Sequence, residues 1–78
     1  MEAYQKALAA YLEPADRTQA ALADKIGKTQ AAINRYVNGA RFPDAQTARQ
    51  IHDATDGAVP FELWQSAALT RLGIEEAA

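Results

Sequence analysis

Residues 18–39 read TQAALADKIGKTQAAINRYVNG and contain the strongest structural signals of the chain. Its spacing predicts a short helix over 19–26, followed by Gly27, a residue suited to the left-handed conformation at a helix end. A second helix is predicted over about 30–37, and the Asn-Gly pair at 38–39 is a turn signal that stops it. A threonine stands before each helix, where its hydroxyl can cap the first turn. Two helices joined by so short a turn must cross steeply.

Helical spacing of apolar residues predicts three further helices around this pair. The first lies near 2–13, before a proline; another runs from Pro43-Asp44 to a glycine at 57; the last follows Pro60 and ends at Gly73. No segment alternates with a period of two residues, so no strand is predicted. The sequence therefore predicts an all-α, compact five-helix fold, with residues 1–78 as a single domain.

Size and composition restrict what this domain can be. Its 78 residues allow one modest core, and the absence of cysteine excludes disulfides and thiolate metal sites. No apolar run approaches the roughly 18 residues that cross a membrane, and the N-terminus lacks the apolar stretch of a signal peptide. We expect a soluble, cytoplasmic protein with no membrane partner.

The charged residues are segregated along the chain. The overall net charge is −2, but residues 17–49 hold six basic side chains against two acidic ones, which leaves +4. The remainder holds two basic side chains against eight acidic ones, which leaves −6. This distribution indicates a basic face for phosphate groups and an acidic remainder held away from them, although chance clustering would give the same pattern.

One face of the helix over 30–37 has the chemistry of base recognition. Its side chains combine a long amide, a small methyl group and a guanidinium on the side opposite Ile33 and Val37. Glutamine pairs with adenine, arginine pairs with guanine, and alanine packs on a thymine methyl group. The helix–glycine–helix geometry alone would suit any compact three-helix domain, so this face carries the argument. The predicted base-reading residues are Gln30, Ala31, Asn34 and Arg35.

Residues 18–39 resemble the helix-turn-helix of the phage repressor and Cro family. Ala23, Gly27 and Ile33 stand at the three packing positions of that motif, and the run QAAINR at 30–35 is especially similar to Cro recognition helices. One departure is Lys28, where the family usually has valine or a similar apolar residue. Its aliphatic stem can still cover the core while the ammonium group reaches a phosphate.

The resemblance implies a lambda-repressor-like DNA-binding domain whose second and third helices form the helix-turn-helix. Gln19 would bind a phosphate and brace Gln30, fixing the Gln30 amide for adenine. The partner implied is a double-stranded, near-palindromic DNA operator in the nucleoid of a bacterial host cell. The origin of the protein is phage, prophage or chromosomal. The residues implied to bind phosphates are Thr18, Gln19, Lys28, Asn38 and Arg41.

One recognition helix reads about four base pairs, which is too few to define a genomic site. We therefore expect a homodimer, formed in solution or only on DNA, with the C-terminal helical segment at about 60–74 serving dimerisation. Apolar residues there exceed what the core needs, although they could simply cover it. The predicted dimerisation residues are Leu69, Leu72 and Ile74.

Catalysis and metal binding are not expected. His52 is the only histidine, no cysteine accompanies it, and no nucleophile–base pair or phosphate-cradling glycine loop is present. Phe61 and Trp64 repeat with the helix period and are expected in the core. We predict a Cro-like transcriptional repressor that is not an enzyme and has no cofactor, metal or small-molecule ligand. The alternatives are the antitoxin of a toxin–antitoxin pair and a helical protein-interaction module without DNA binding.

Overall fold

A computed structural model describes residues 2–72, with the side chains of residues 2–71. Within that range the chain forms five α-helices and no strand, which confirms the all-α prediction. The first helix was predicted to reach residue 13 but ends at Tyr11, because Pro14 disfavours helical backbone at the residue before it. The helices are α1 (Ala3–Tyr11), α2 (Gln19–Ile26), α3 (Gln30–Asn38), α4 (Ala45–Ala54) and α5 (Phe61–Leu72).

The turn between α2 and α3 is built by local signals. The Thr18 hydroxyl oxygen accepts a hydrogen bond from the Ala21 N–H at 3.0 Å, and the Thr29 hydroxyl oxygen accepts one from the Ala32 N–H at 3.1 Å. Gly27 has φ +68°, the left-handed conformation that ends α2. The two predicted N-caps and the predicted glycine stop are therefore confirmed.

Gly39 ends α3 under a second constraint besides its φ of +80°. The amide nitrogen of the Gln5 side chain lies where a β-carbon would stand, so no larger residue fits unless that amide moves. The Gln5 amide oxygen meanwhile accepts a hydrogen bond from the Glu2 N–H at 3.1 Å, at the start of α1. The end of α3 is thus packed directly on the first turn of α1.

The core lies where these helices meet. Helix α2 packs on α3 and α4, α1 packs on α3 and α5, and α4 packs on α5. Tyr4 is buried with no hydrogen-bond partner for its hydroxyl among the described residues, and burial raises the pKa of that hydroxyl. The buried apolar residues are Tyr4, Leu8, Leu22, Ala23, Ile26, Ile33, Tyr36, Ala48, Ile51, Val59 and Ala67. Ala23 and Ile33 therefore occupy the packing positions expected of them.

An aromatic stack fastens the loop after α3 to α5. The Trp64 indole N–H donates a hydrogen bond to the Pro43 carbonyl at 2.8 Å. The Trp64 ring stacks on Phe42 at 5.8 Å and on Phe61 at 5.1 Å between ring centroids. His52 Nδ1 accepts the Phe61 N–H at 3.0 Å and so caps the start of α5. Phe61 and Trp64 are half-buried parts of this packing.

Candidate nucleic-acid interface

The predicted reading face lies on the outside of α3. Gln30, Ala31, Asn34 and Arg35 are all exposed, whereas Ile33 is fully buried on the opposite side of the helix. Helix α3 is anchored by that buried side, so the four polar or small side chains project from a fixed surface. Their contact with DNA stays a prediction, but their shared exposure is what such contact requires.

The start of α3 also presents unpaired backbone donors. The Thr29 side chain and carbonyl take the N–H groups of Ala32 and Ile33, while the N–H groups of Gln30 and Ala31 have no acceptor among the described residues. Unpaired N–H groups carry the positive end of the helix dipole. The end of α3 that carries Gln30 is therefore electropositive as well as exposed.

Two asparagines at the other end of the face are already hydrogen-bonded. The Asn38 amide nitrogen donates to the Asn34 amide oxygen at 3.3 Å, and the Asn38 oxygen accepts the Ala40 N–H at 3.0 Å. A primary amide has two N–H groups, so Asn34 keeps both for an outside acceptor and Asn38 keeps one. The geometry therefore favours these asparagines as donors, to a phosphate or to an acceptor on a base edge.

Gln19 and Gln30 are the two residues of the brace that the family resemblance implies. Gln19 is half-buried and Gln30 is exposed, and no hydrogen bond joins their side chains. The hydrogen bonds that the described residues form do not involve either side chain. The bracing role of Gln19 stays a prediction for the DNA-bound protein.

Lys28 is compatible with an intact turn. Its main-chain N–H donates to the Ala23 carbonyl at 2.9 Å, which closes the end of α2, and its side chain is exposed. An apolar residue is therefore not needed at this position for the turn to form. The ammonium group is free to lie at the protein surface.

Lys28 and Arg41 line one polar crevice of about 310 Å³ between the turn and the start of α4. Asp44, the N-cap of α4, lies at the same crevice. Hydrogen bonds from Thr47 lower the pKa of the Asp44 carboxyl, and the nearby Lys28 charge lowers it further. The sequence did not predict that Lys28 and Asp44 lie close together. The Pro-Asp pair at 43–44 predicted only that a helix starts there.

Arg41 is hydrogen-bonded to the end of α3 through its main chain. Its N–H donates to the Arg35 carbonyl at 3.2 Å, so the loop after α3 folds back on the last turn of that helix. The Arg41 side chain is exposed. Two cations, Lys28 before α3 and Arg41 after it, therefore flank α3 on the same side as the crevice.

The predicted dimer surface is only partly visible. Leu69 is 43% exposed and is the one large apolar side chain classed as exposed among the described residues. The side chain of Leu72 and all of Ile74 lie outside the described residues. Within residues 2–72, no set of three acidic, histidine or cysteine side chains is grouped to hold a metal ion, and no helix could span a membrane.

Comparison with known proteins gives the family. A family model described as helix-turn-helix matches residues 8–60, which is more than half of the 78-residue chain and includes both helices of the turn. No curated protein and no solved structure matches the chain. The matched region holds the exposed face of α3 and both flanking cations. The chain belongs to the helix-turn-helix family, and it is a DNA-binding transcription regulator.

Proposed function

We propose that this protein is a Cro-like repressor that binds a double-stranded DNA operator and reads it with α3 in the major groove. The observation that carries the proposal is the exposed face of Gln30, Ala31, Asn34 and Arg35 on a helix anchored by buried Ile33. In this family architecture, the second helix of the turn enters the groove and the first crosses the DNA backbone.

The side chains of that face have separate tasks. Gln30 pairs with adenine, Arg35 pairs with guanine, and the Ala31 methyl group packs on a thymine methyl group. Asn34 contributes the amide donor that its bond to Asn38 leaves available. Readout of this kind combines hydrogen bonds with shape, so a wrong base leaves a polar group unpaired.

Phosphate contacts hold the helix in register. Lys28 and Arg41 flank α3, and Thr18 and Gln19 stand at the start of α2, where the N–H groups of the first turn attract an anion. Asn38 donates from the end of α3. These contacts supply affinity without sequence preference, whereas the four residues on the exposed face supply the preference.

Repression follows from occupancy. A small domain bound across an operator excludes polymerase from an overlapping promoter. We propose a homodimer on a near-palindromic operator, because two recognition helices about 34 Å apart double the sequence that is read. Exposed Leu69 marks the proposed interface, together with Leu72 and Ile74. Sedimentation equilibrium that finds a monomer both free and on an operator-length duplex contradicts the dimer.

The test begins by selecting bound duplexes from a random pool and measuring affinity at several salt concentrations. Arg35→Ala is expected to weaken the selected site by about 1–3 kcal/mol and to relax one base position. Lys28→Ala is expected to weaken all sequences alike and to reduce the salt slope by about 0.9. Lys6→Ala removes the same charge from the exposed side of α1 and is the control.

The proposal fails if wild-type protein binds no duplex with a steep salt dependence, the outcome expected of a protein-interaction module. It also fails if Arg35→Ala leaves both affinity and base preference unchanged. If Lys6→Ala reduces the salt slope as much as Lys28→Ala does, only the assignment of Lys28 as a phosphate-binding residue fails.

A further inference from the structure

Arg17 is held in place by an aromatic ring just before α2. Its guanidinium carbon lies 4.7 Å from the centre of the Tyr11 ring, at the end of α1. Its main-chain N–H donates to the Pro14 carbonyl at 2.9 Å, which fixes the turn between the two helices. The Arg17 side chain is exposed and Tyr11 is half-buried. The cation is therefore positioned at both its backbone and its side chain.

The charge of Arg17 is not neutralised within the described part of the chain. Glu13 and Asp16 are close in sequence, yet no carboxylate lies within ion-pair distance of its guanidinium there. Arg71 also lies over a ring, 4.2 Å from the centre of Phe42, but its guanidinium pairs with Glu2 at 3.2 Å. A guanidinium stacked on a ring keeps its N–H edge for an outside acceptor. Arg17 is thus a pre-positioned cation without an anionic partner.

We propose that Arg17 binds a DNA phosphate beside the start of α2, and that Tyr11 is the positioning residue that holds it ready. This inference rests on the proposed DNA binding. Arg17 stands one residue before the N-cap Thr18, and the N–H groups of Gln19 and Ala20 there have no acceptor among the described residues. Holding the guanidinium in advance reduces the side-chain entropy that phosphate binding would otherwise cost.

Arg49 provides a matched control in the same chain. Its guanidinium carbon lies 5.1 Å from the centre of the Phe61 ring, so it too is a stacked and exposed cation. Its helix, α4, packs on α2, but the Arg49 guanidinium lies against Phe61, the first residue of α5, and α5 packs on α1 and α4 and not on α2 or α3. Replacing either arginine with alanine changes the net charge by the same amount. Any difference in DNA affinity between the two variants therefore depends on where the arginine lies.

The experiment measures affinity for the selected duplex and for an unrelated duplex as salt is varied. Arg17→Ala is expected to reduce the salt slope by about 0.9, which corresponds to about 15-fold weaker binding at about 0.05 M salt and about fivefold at about 0.15 M. Both duplexes should be affected equally, because phosphates carry no sequence information. Arg49→Ala should change affinity by less than about twofold, as expected of a charge that releases no counterion.

Tyr11 is tested both in the wild-type protein and in the Arg17→Ala variant. Tyr11→Phe keeps the ring and should bind as the wild type does, whereas Tyr11→Leu should weaken binding with the salt slope unchanged, since the cation remains. In the Arg17→Ala background, Tyr11→Leu should have no further effect. Far-ultraviolet circular dichroism verifies that each variant is folded.

The inference is overturned if Arg17→Ala and Arg49→Ala weaken binding equally, which would indicate a general effect of charge. It is also overturned if Tyr11→Leu weakens binding as much without Arg17 as with it, because Tyr11 would then act only on the fold. If Arg17→Ala binds DNA as the wild type does while Arg35→Ala binds more weakly, this inference is wrong and the proposed function still holds. Absence of any salt-dependent binding by the wild type overturns both.

Discussion

Replacing Gly39 with alanine tests whether the end of α3 depends on contact with α1. Gly39 has φ +80°, and the Gln5 side-chain amide occupies the position of a β-carbon. Gly27, at φ +68°, has no atom within 4 Å of that position. The two glycines share a backbone conformation and differ in the space beside them, so Gly27→Ala is the matched control.

The expected costs follow from this difference. A left-handed alanine costs about 1–2 kcal/mol, which is the whole expected effect of Gly27→Ala. At Gly39 the flexible Gln5 side chain can move aside, but it then loses its hydrogen bond from the Glu2 N–H, which contributes about 1 kcal/mol. We therefore expect Gly39→Ala to cost about 2–3 kcal/mol, from the backbone strain and the lost bond together.

Urea unfolding monitored by circular dichroism measures both costs. For a domain of this size, each kcal/mol moves the midpoint by about 1 M urea. Gln5→Ala alone should cost about 1 kcal/mol, and it should cost almost nothing more in the Gly39→Ala background, where the hydrogen bond is already broken. The reasoning is refuted if the two glycine variants lose the same stability, or if Gln5→Ala costs the same in both backgrounds.

Three further outcomes are expected. Asp44→Asn keeps an N-cap but removes the carboxyl whose pKa the hydrogen bonds from Thr47 lower. The wild type should lose stability as pH falls through that lowered pKa, whereas the variant should not, and urea midpoints across acidic pH measure the difference. Trp64→Phe keeps the ring stack but leaves the Pro43 carbonyl without its donor, and calorimetry should find a loss of about 1 kcal/mol. Tyr4→Phe removes a buried hydroxyl without a partner, so the free energy of unfolding should stay equal or rise by up to about 1 kcal/mol; a clear fall contradicts this.

Much of the fold could be predicted because its signals are local. Thr18 and Thr29 cap helices through N–H groups three residues away, and Gly27 ends α2 through its own backbone angle. Such interactions lie within one helical turn, so neighbouring residues in the sequence contain all the information. The exposed face of α3 followed for the same reason, because the helical period alone separates Gln30 and Arg35 from the buried side.

The arrangement around that face could not be predicted in the same way. The Lys28–Asp44 crevice joins residues 16 positions apart, and Trp64 reaches Pro43 across 21 positions. The sequence does not specify which helices meet, so it cannot show which polar group faces which partner. The predicted brace between Gln19 and Gln30 stays a prediction for the DNA-bound protein.

The sequence of residues 18–39 therefore determines by itself two capped helices, a glycine turn and an outward polar face. Tertiary packing decided what surrounds it, above all the first turn of α1, whose Gln5 amide lies against Gly39. The physical reason is range. Caps and helical periodicity act within about four residues along the chain, whereas these contacts exist only after α1 has packed against the rest of the fold.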